Sequence, residues 1–368
     1  SAITTITGSA ADINTIYASS EFSGLGDEAV TITDTGSVAA SVLNTLNSNT
    51  TGLVTATSVV TLTGTAAAIN TLVGNEGDSG DKVNLDSDYV ATLSDTTITA
   101  TVLNAVDGNV PGAVNASTVA TITGAAADIN TAYESSGISG LGNEALTVSG
   151  TLTVSQANAL GDHTTGAVTA TISDGDMTTL AGLSANSIVP HAHTIIVTDT
   201  SVAASTLNTL DGKTTVAIGA SSITTITGKL SDVNTAYASS GISGLGNEAV
   251  TLTDTSLAAD ALNTTNTNTT GTVKVQATTV TGTAGNLVTA YGAQDSGIDG
   301  LGNEAVTVSS GSASVSQVNT ITAETTGIVT ATVSDDDMTT LAGISESGNA
   351  LTITVTDTSA AADDLNKL

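Results

Sequence analysis

The sequence predicts an α/β solenoid of about fourteen rounds, each a strand followed by a short helix, stacked so that the strands build a parallel sheet. Three observations carry this. The phrase "GLGNE" or "GLGDE" occurs four times, at 24–28, 140–144, 244–248 and 300–304. An active site is built once; a phrase written four times is a structural part or a ligand site that works by number. Val, Ile or Leu alternates with Thr in short segments throughout the chain. Finally, aromatic residues make up only 2% of the 368 residues, with no Trp and one Phe. One large core normally buries several rings, whereas thin stacked layers need small side chains that recur.

The strand segments read "AITTITG" (2–8), "VVTLTG" (59–64), "VATITG" (119–124), "ITTITG" (223–228) and "LTITVTDT" (351–358). Their period of two predicts one buried aliphatic face and one Thr face that tolerates water. The helix segments read "SAADINTIYAS" (9–19), "SVAASVLNTL" (37–46), "AAADINTAYES" (125–135), "SVAASTLNTL" (201–210) and "KLSDVNTAYAS" (229–239). Apolar residues at i, i+1, i+4 or i+5, and i+8 predict two to three helical turns, too short to persist without neighbours. "TDTGS" (33–37), "TDTS" (198–201) and "TDTS" (253–256) are expected to cap the helices that follow them. The alternative is an all-β solenoid with the "AADINT" segments as corners.

One Asn recurs inside the apolar stripe: Asn14, Asn44, Asn70, Asn104, Asn130, Asn208, Asn234, Asn263, Asn319 and Asn366. Aligned from round to round, these predict a ladder of inter-round hydrogen bonds that satisfies turn backbone. A longer period is also present. "VTATISDGDMTTLAGLS" (168–184) returns as "VTATVSDDDMTTLAGIS" (329–345), and no Pro-rich or Ser-rich linker separates the copies. Residues 1–368 therefore read as a single continuous repeat domain. The opening "SAITTITG" falls inside a repeat, so the chain reads as a piece of a longer protein.

Five Lys, no Arg and 35 acids give a formal charge of −30. No phosphate-binding footprint can be built from so few bases, which excludes nucleic acid, and the acidity disfavours anionic membrane surfaces. The absence of Cys excludes disulfides, thiol catalysis and zinc fingers. No apolar run is long enough to span a membrane.

Acidic turns are the candidate metal ligands, with calcium as the expected ion because it takes mixed carboxylate, carbonyl and amide oxygen. The first set is Asp27, Glu28, Glu144, Glu248 and Glu304 of the GLGNE phrases. The second is Asp174 and Asp176 of "SDGDMTT", with Asp335, Asp336 and Asp337 of "SDDDMTT". The competing reading makes the first set turn residues that are solvated or cap a neighbouring helix, and the second N-caps and first-turn acids favoured by the helix dipole. "NEGDSGDKVNLDSD" (75–88) reads as a longer acidic loop. "HAH" (191–193) places two imidazoles on one strand face, but beside Pro190 it reads as a surface accident. No catalytic constellation emerges, and an enzyme is not expected.

"ITGAAADINTAYES" (122–135), "VSQANALGDHTTGAVTATIS" (154–173) and "VTDTSVAASTLNTL" (197–210) resemble repeats of very large cell-surface proteins of marine cyanobacteria. The resemblance covers nearly the whole chain and implies an extracellular or cell-surface location. It also implies a structural role: rigid spacer, surface layer or adhesin stalk. The expected partners are other segments of the same protein or neighbouring copies. The alternative is a binding module whose Thr-rich strand faces engage ice, glycans or another cell, or a viral fibre segment.

Overall fold

The computed structural model describes residues 3–368. It is an α/β solenoid-like repeat fold in which short parallel strands alternate with fourteen helices among the described residues. The "AADINT" segments are helices, Ala10–Ala18 and Ala126–Glu134 among them, so the all-β alternative is set aside. The chain forms two compact units: residues up to Ser173 with Ser184–His193, and Asp174–Leu183 with Thr194–Leu368.

Pairing is parallel and in register. Thr5 lies against Ala29, Thr121 against Ala145 and Thr225 against Ala249, so a round is close to 24 residues. The acidic insertion at 75–88 lengthens one round, and Val54 pairs with Val83. Strand Ala29–Ile32 shows how the pattern works, since Val30 and Ile32 are buried while Thr31 is exposed. Helices bury a narrow stripe at every third residue: Ala40, Leu43 and Leu46, then Ala66, Ile69 and Leu72. Each buried Leu or Ile is worth about 1.5–3 kcal/mol relative to exposure. The stripe of each helix packs against the neighbouring helices and the adjoining strands.

Within the first unit three strand ladders succeed one another. One joins Thr5–Gly8, Ala29–Ile32, Val54–Ala56 and Val83–Leu85; the second starts at Ser37–Ala39 and the third at Thr97–Thr99. In the second unit Ile218–Gly219 pairs separately with Ile242–Ser243, while five-stranded ladders start at Ser201–Ala203 and Ser256–Ala258. Every one of these later starts lies just after an Asp-Thr pair, in "DTGSVA", "DTTIT", "DTSVA" or "DTSLA". There the chain inserts a three-residue strand before the helix.

That insertion corrects the expected capping. The helices after "TDTGS" and "TDTS" begin at Ala40, Ala204 and Ala259, and their N-cap residues Ala39, Ala203 and Ala258 offer no side-chain bond. The Asp instead reaches back one round. Asp34 accepts the Ala10 N–H at 2.8 Å, Asp95 that of Ala66 at 2.8 Å, and Asp254 that of Leu230 at 2.7 Å. Asp199 does the same for Met177 at 2.6 Å. Each satisfies the first free N–H of a neighbouring helix and tethers two rounds.

Candidate functional site

The four GLGNE turns fold into one recurring clasp. In each, the first residue of the Gly-x-Glu triplet has positive φ, 140° at Gly26 and Gly142, 136° at Gly246 and 131° at Gly302, which favours glycine. The turn aims its own N–H back at the Glu. Glu28, Glu144, Glu248 and Glu304 are fully buried. Their Oε2 atoms accept the N–H of Gly26 at 2.7 Å, Gly142 at 2.8 Å, Gly246 at 2.9 Å and Gly302 at 2.8 Å. A tyrosine near the end of the preceding helix supplies the second donor. Tyr17 donates to Glu28 at 3.1 Å, Tyr133 to Glu144 at 2.6 Å, Tyr237 to Glu248 at 3.0 Å and Tyr291 to Glu304 at 3.3 Å.

The next round closes the clasp with a Thr-Thr-Gly loop. The hydroxyls of Thr50, Thr164 and Thr269 each donate to the Glu carbonyl at 2.6 Å, and that of Thr325 at 2.8 Å. The second threonine's N–H reaches the turn, Thr165 to the Gly142 carbonyl at 2.9 Å and Thr270 to that of Gly246 at 2.9 Å. Glycine is required after the pair, because a Cβ at Gly52, Gly166, Gly271 or Gly327 would overlap the Glu carbonyl group.

The electrostatics follow from this arrangement. Burial alone would raise the Glu28 carboxyl, but the Gly26 N–H and the Tyr17 hydroxyl outweigh it and hold it below the ordinary carboxylate value. Burial, with the adjoining Glu charge, pushes the phenols of Tyr133, Tyr237 and Tyr291 well above the tyrosine range. Oε1 of Glu28, Glu144 and Glu304 meets no donor, so these carboxylates are held through one oxygen. They are not the solvated turn residues of the competing reading. Four of the five tyrosines of the chain serve these clasps; the fifth, Tyr89, donates at 3.4 Å to the exposed Glu76 outside any clasp.

Sequence reasoning passed over the tyrosines and the Thr-Thr-Gly loops. The signal was present as spacing, because Tyr17, Tyr133 and Tyr237 each stand 11 positions before their Glu. Asp27, by contrast, is exposed.

The second acidic set lies at helix starts. Asp176 accepts the Thr179 N–H at 2.9 Å and Asp337 that of Thr340 at 2.9 Å, as N-caps of Met177–Leu180 and Met338–Leu341. These N–H bonds hold both carboxyls below their ordinary value. Asp335 reaches back to the Val315 N–H at 2.6 Å, Asp174 is half-buried and Asp336 is exposed. No group of three or more His, Asp or Glu is gathered as a metal site among the described residues.

The recurring Asn side chains join helices rather than turns. Asn44 donates to the Ala68 carbonyl at 2.8 Å, Asn104 to Asp128 at 2.9 Å, Asn208 to Asp232 at 2.9 Å and Asn234 to Ala261 at 3.0 Å. Asn14, Asn263 and Asn319 repeat the contact with Val42, Asn286 and Gly343. Asn70 instead accepts from Asn109 at 3.2 Å. Asn130 and Asn366 are on or beside helices, Ala126–Glu134 and Ala362–Leu365. Asn158, missed because it follows Ala, accepts the Ser184 N–H at 2.8 Å.

The "HAH" imidazoles are interior, correcting the surface reading. His191 is 4% and His193 1% exposed, with ring centroids 5.0 Å apart. Alternation about Ala192 turns both inward, and His191 Nδ1 accepts the Val168 N–H at 3.1 Å. Burial, and secondarily the neighbouring His191, depresses His193 to about 4.

No protein-family model matches the chain, and no curated protein matches it. Among the described residues no helix is long and apolar enough to cross a membrane.

Proposed function

We propose that this chain is a non-enzymatic structural segment of a large extracellular or cell-surface protein, of the kind its repeats resemble. The observation that carries the reading is the use made of its polar side chains. Each clasp ties a helix, a turn and the following round together, and the recurring Asn and Asp side chains add further inter-round bonds. Buried polar groups must be hydrogen-bonded, and here the partners lie largely in neighbouring rounds. An antibody against this segment should label intact cells of the source organism. Labelling that appears only after permeabilisation would overturn the location.

The repeat construction has its own test. Thr121 is in register with Ala145, so deleting 121–144 removes one round and brings Ala145 into the place of its neighbour. The shortened chain should keep its circular dichroism per residue and unfold cooperatively. Calcium stabilisation is part of the proposal and is tested by melting with calcium and then with chelator. A ligand of the folded state alone raises the midpoint; equal midpoints would remove calcium from the reading.

A second reading has one observation in its favour. Thr99, Thr123, Thr147 and Thr169 stand in register on successive strands, forming a row of hydroxyls and methyls. Such a row suits an ordered, uncharged partner such as ice, and a freezing assay without altered crystal shape would retire it.

A further inference from the structure

Charge is distributed very unevenly between strands and the rest of the chain. Of the 35 acids only Asp299 lies in a strand, and of the five Lys only Lys274 does. The two are register partners, Lys274 in Val273–Lys274 and Asp299 in Ile298–Asp299. Parallel partners project from the same side of a sheet, and both residues are exposed. Even so, they form no ion pair with each other, unlike Lys367 and Asp364 at 3.0 Å. Lys213, by comparison, is used on the Ala181 carbonyl at 2.7 Å.

Beside Asp299 a cleft of about 290 Å³ is lined by Thr272, Asp295, Ser296, Gly297, Ile298 and Asp299. Asp295 is held there with φ 61°, the one non-Gly residue with positive φ among the described residues. Gln294 braces the loop by exchanging bonds with the Leu301 N–H and carbonyl at 3.2 and 3.1 Å. The face continues from Lys274 to Thr251 and Thr227, which carry no charge.

We propose that this sheet face is a contact between two copies of the chain, with Lys274 of each copy seated in the Asp295–Asp299 cleft of the other. A neighbouring plus and minus on one face are self-complementary under a two-fold axis, which lays each Lys over the opposite Asp. Charge also selects the occupant. Two chains of −30 repel wherever turns and helices meet, whereas this face brings two cations to two acidic clefts. The contact builds on the structural reading by naming the surface through which neighbouring copies associate.

The test is sedimentation equilibrium of the intact chain over a range of concentrations at physiological ionic strength. The wild type should move from one copy toward two. Lys274→Glu and Asp299→Lys should each weaken association by roughly tenfold or more, since each sets like charges face to face. Mixing the two variants should restore it. In the mixed pair the introduced glutamate of one copy meets the introduced lysine of the other, and the remaining native Lys274 meets the native Asp299. Unchanged melting of both variants at concentrations where the wild type is a single copy separates lost contact from lost fold. A wild type that stays at one copy, or a Lys274→Glu variant that associates as the wild type does, overturns the contact. A folded chain lacking 121–144 beside a single-copy wild type would reject this contact while leaving the stacked-round reading in place.

Discussion

Glu144 and Asp336 both belong to repeated acidic phrases, and their neighbours in sequence are similarly small and polar. Glu144 is fully buried, accepting from Gly142 and Tyr133, while its carbonyl accepts from the next round. Asp336 is exposed, and its backbone carbonyl rather than its carboxylate accepts the Thr356 N–H. The difference lies in what surrounds each acid. A carboxylate in the interior is tolerable only where donors are already in place, and the turn glycine and the helix tyrosine provide them. An acid at the start of a four-residue helix has water on most sides and little to lose.

This contrast is broken most severely at Glu144. Glu144→Ala leaves the Gly142 N–H and the Tyr133 hydroxyl buried without their acceptor, and is expected to cost about 3–5 kcal/mol in urea denaturation. Tyr133→Phe removes one donor and should cost less than half of that. A Glu144→Ala loss no larger than that of a surface variant would mean that the clasp does not hold the rounds together.

Acid tests the buried imidazoles. His193 titrates at about 4 in the fold against 6.5 for the free group. Between these values the unfolded chain binds a proton that the folded chain refuses. The His193 contribution is therefore complete above pH 6.5 and lost as the pH falls toward 4, about 3 kcal/mol in all. The depressed Glu28 carboxyl acts in the same direction, its contribution being lost as the pH falls through its folded value. Comparing the wild type with His193→Phe cancels the effects they share. Stability profiles of the same slope over that interval would show that His193 is not buried as a neutral ring.

Smaller effects sharpen the comparison. Asp34→Ala leaves the Ala10 N–H without its cap and should cost about 1 kcal/mol, although Asp34 lies 24 residues away along the chain. A local-capping account predicts instead that the helix Ala40–Asn49 is the one to fray, which amide exchange resolves by position. At the other extreme, Asp336→Asn should change stability by less than about 0.5 kcal/mol. A larger loss on this exposed acid would place an unexpected partner on it.

The sequence alone determined a stacked repeat with parallel strands, because the strand period and the recurrence of its phrases are local properties of the chain. Alternating Ile and Thr at "TIT" prefers a strand by itself, whereas "AADINT" reads as a short helix or a corner until neighbouring rounds cover its apolar stripe. It also marked the recurring Asn and the acidic phrases as parts of a repeat. Tertiary structure decided what those residues bond to. "TDTGSVAA" reads as a cap followed by its helix, but a three-residue strand intervenes and turns Asp34 toward the previous round. Glu28 and Glu144 read as solvated turn acids until the preceding tyrosine and the following Thr-Thr-Gly are brought around them. The physical reason is that partners are set by which segments fold side by side: the Asp34 carboxylate and the Glu28 and Glu144 carbonyls bond to a neighbouring round, and the Glu carboxylates to a tyrosine 11 positions away. Adjacency between rounds depends on a register of about 24 residues, which lies beyond the reach of local preference.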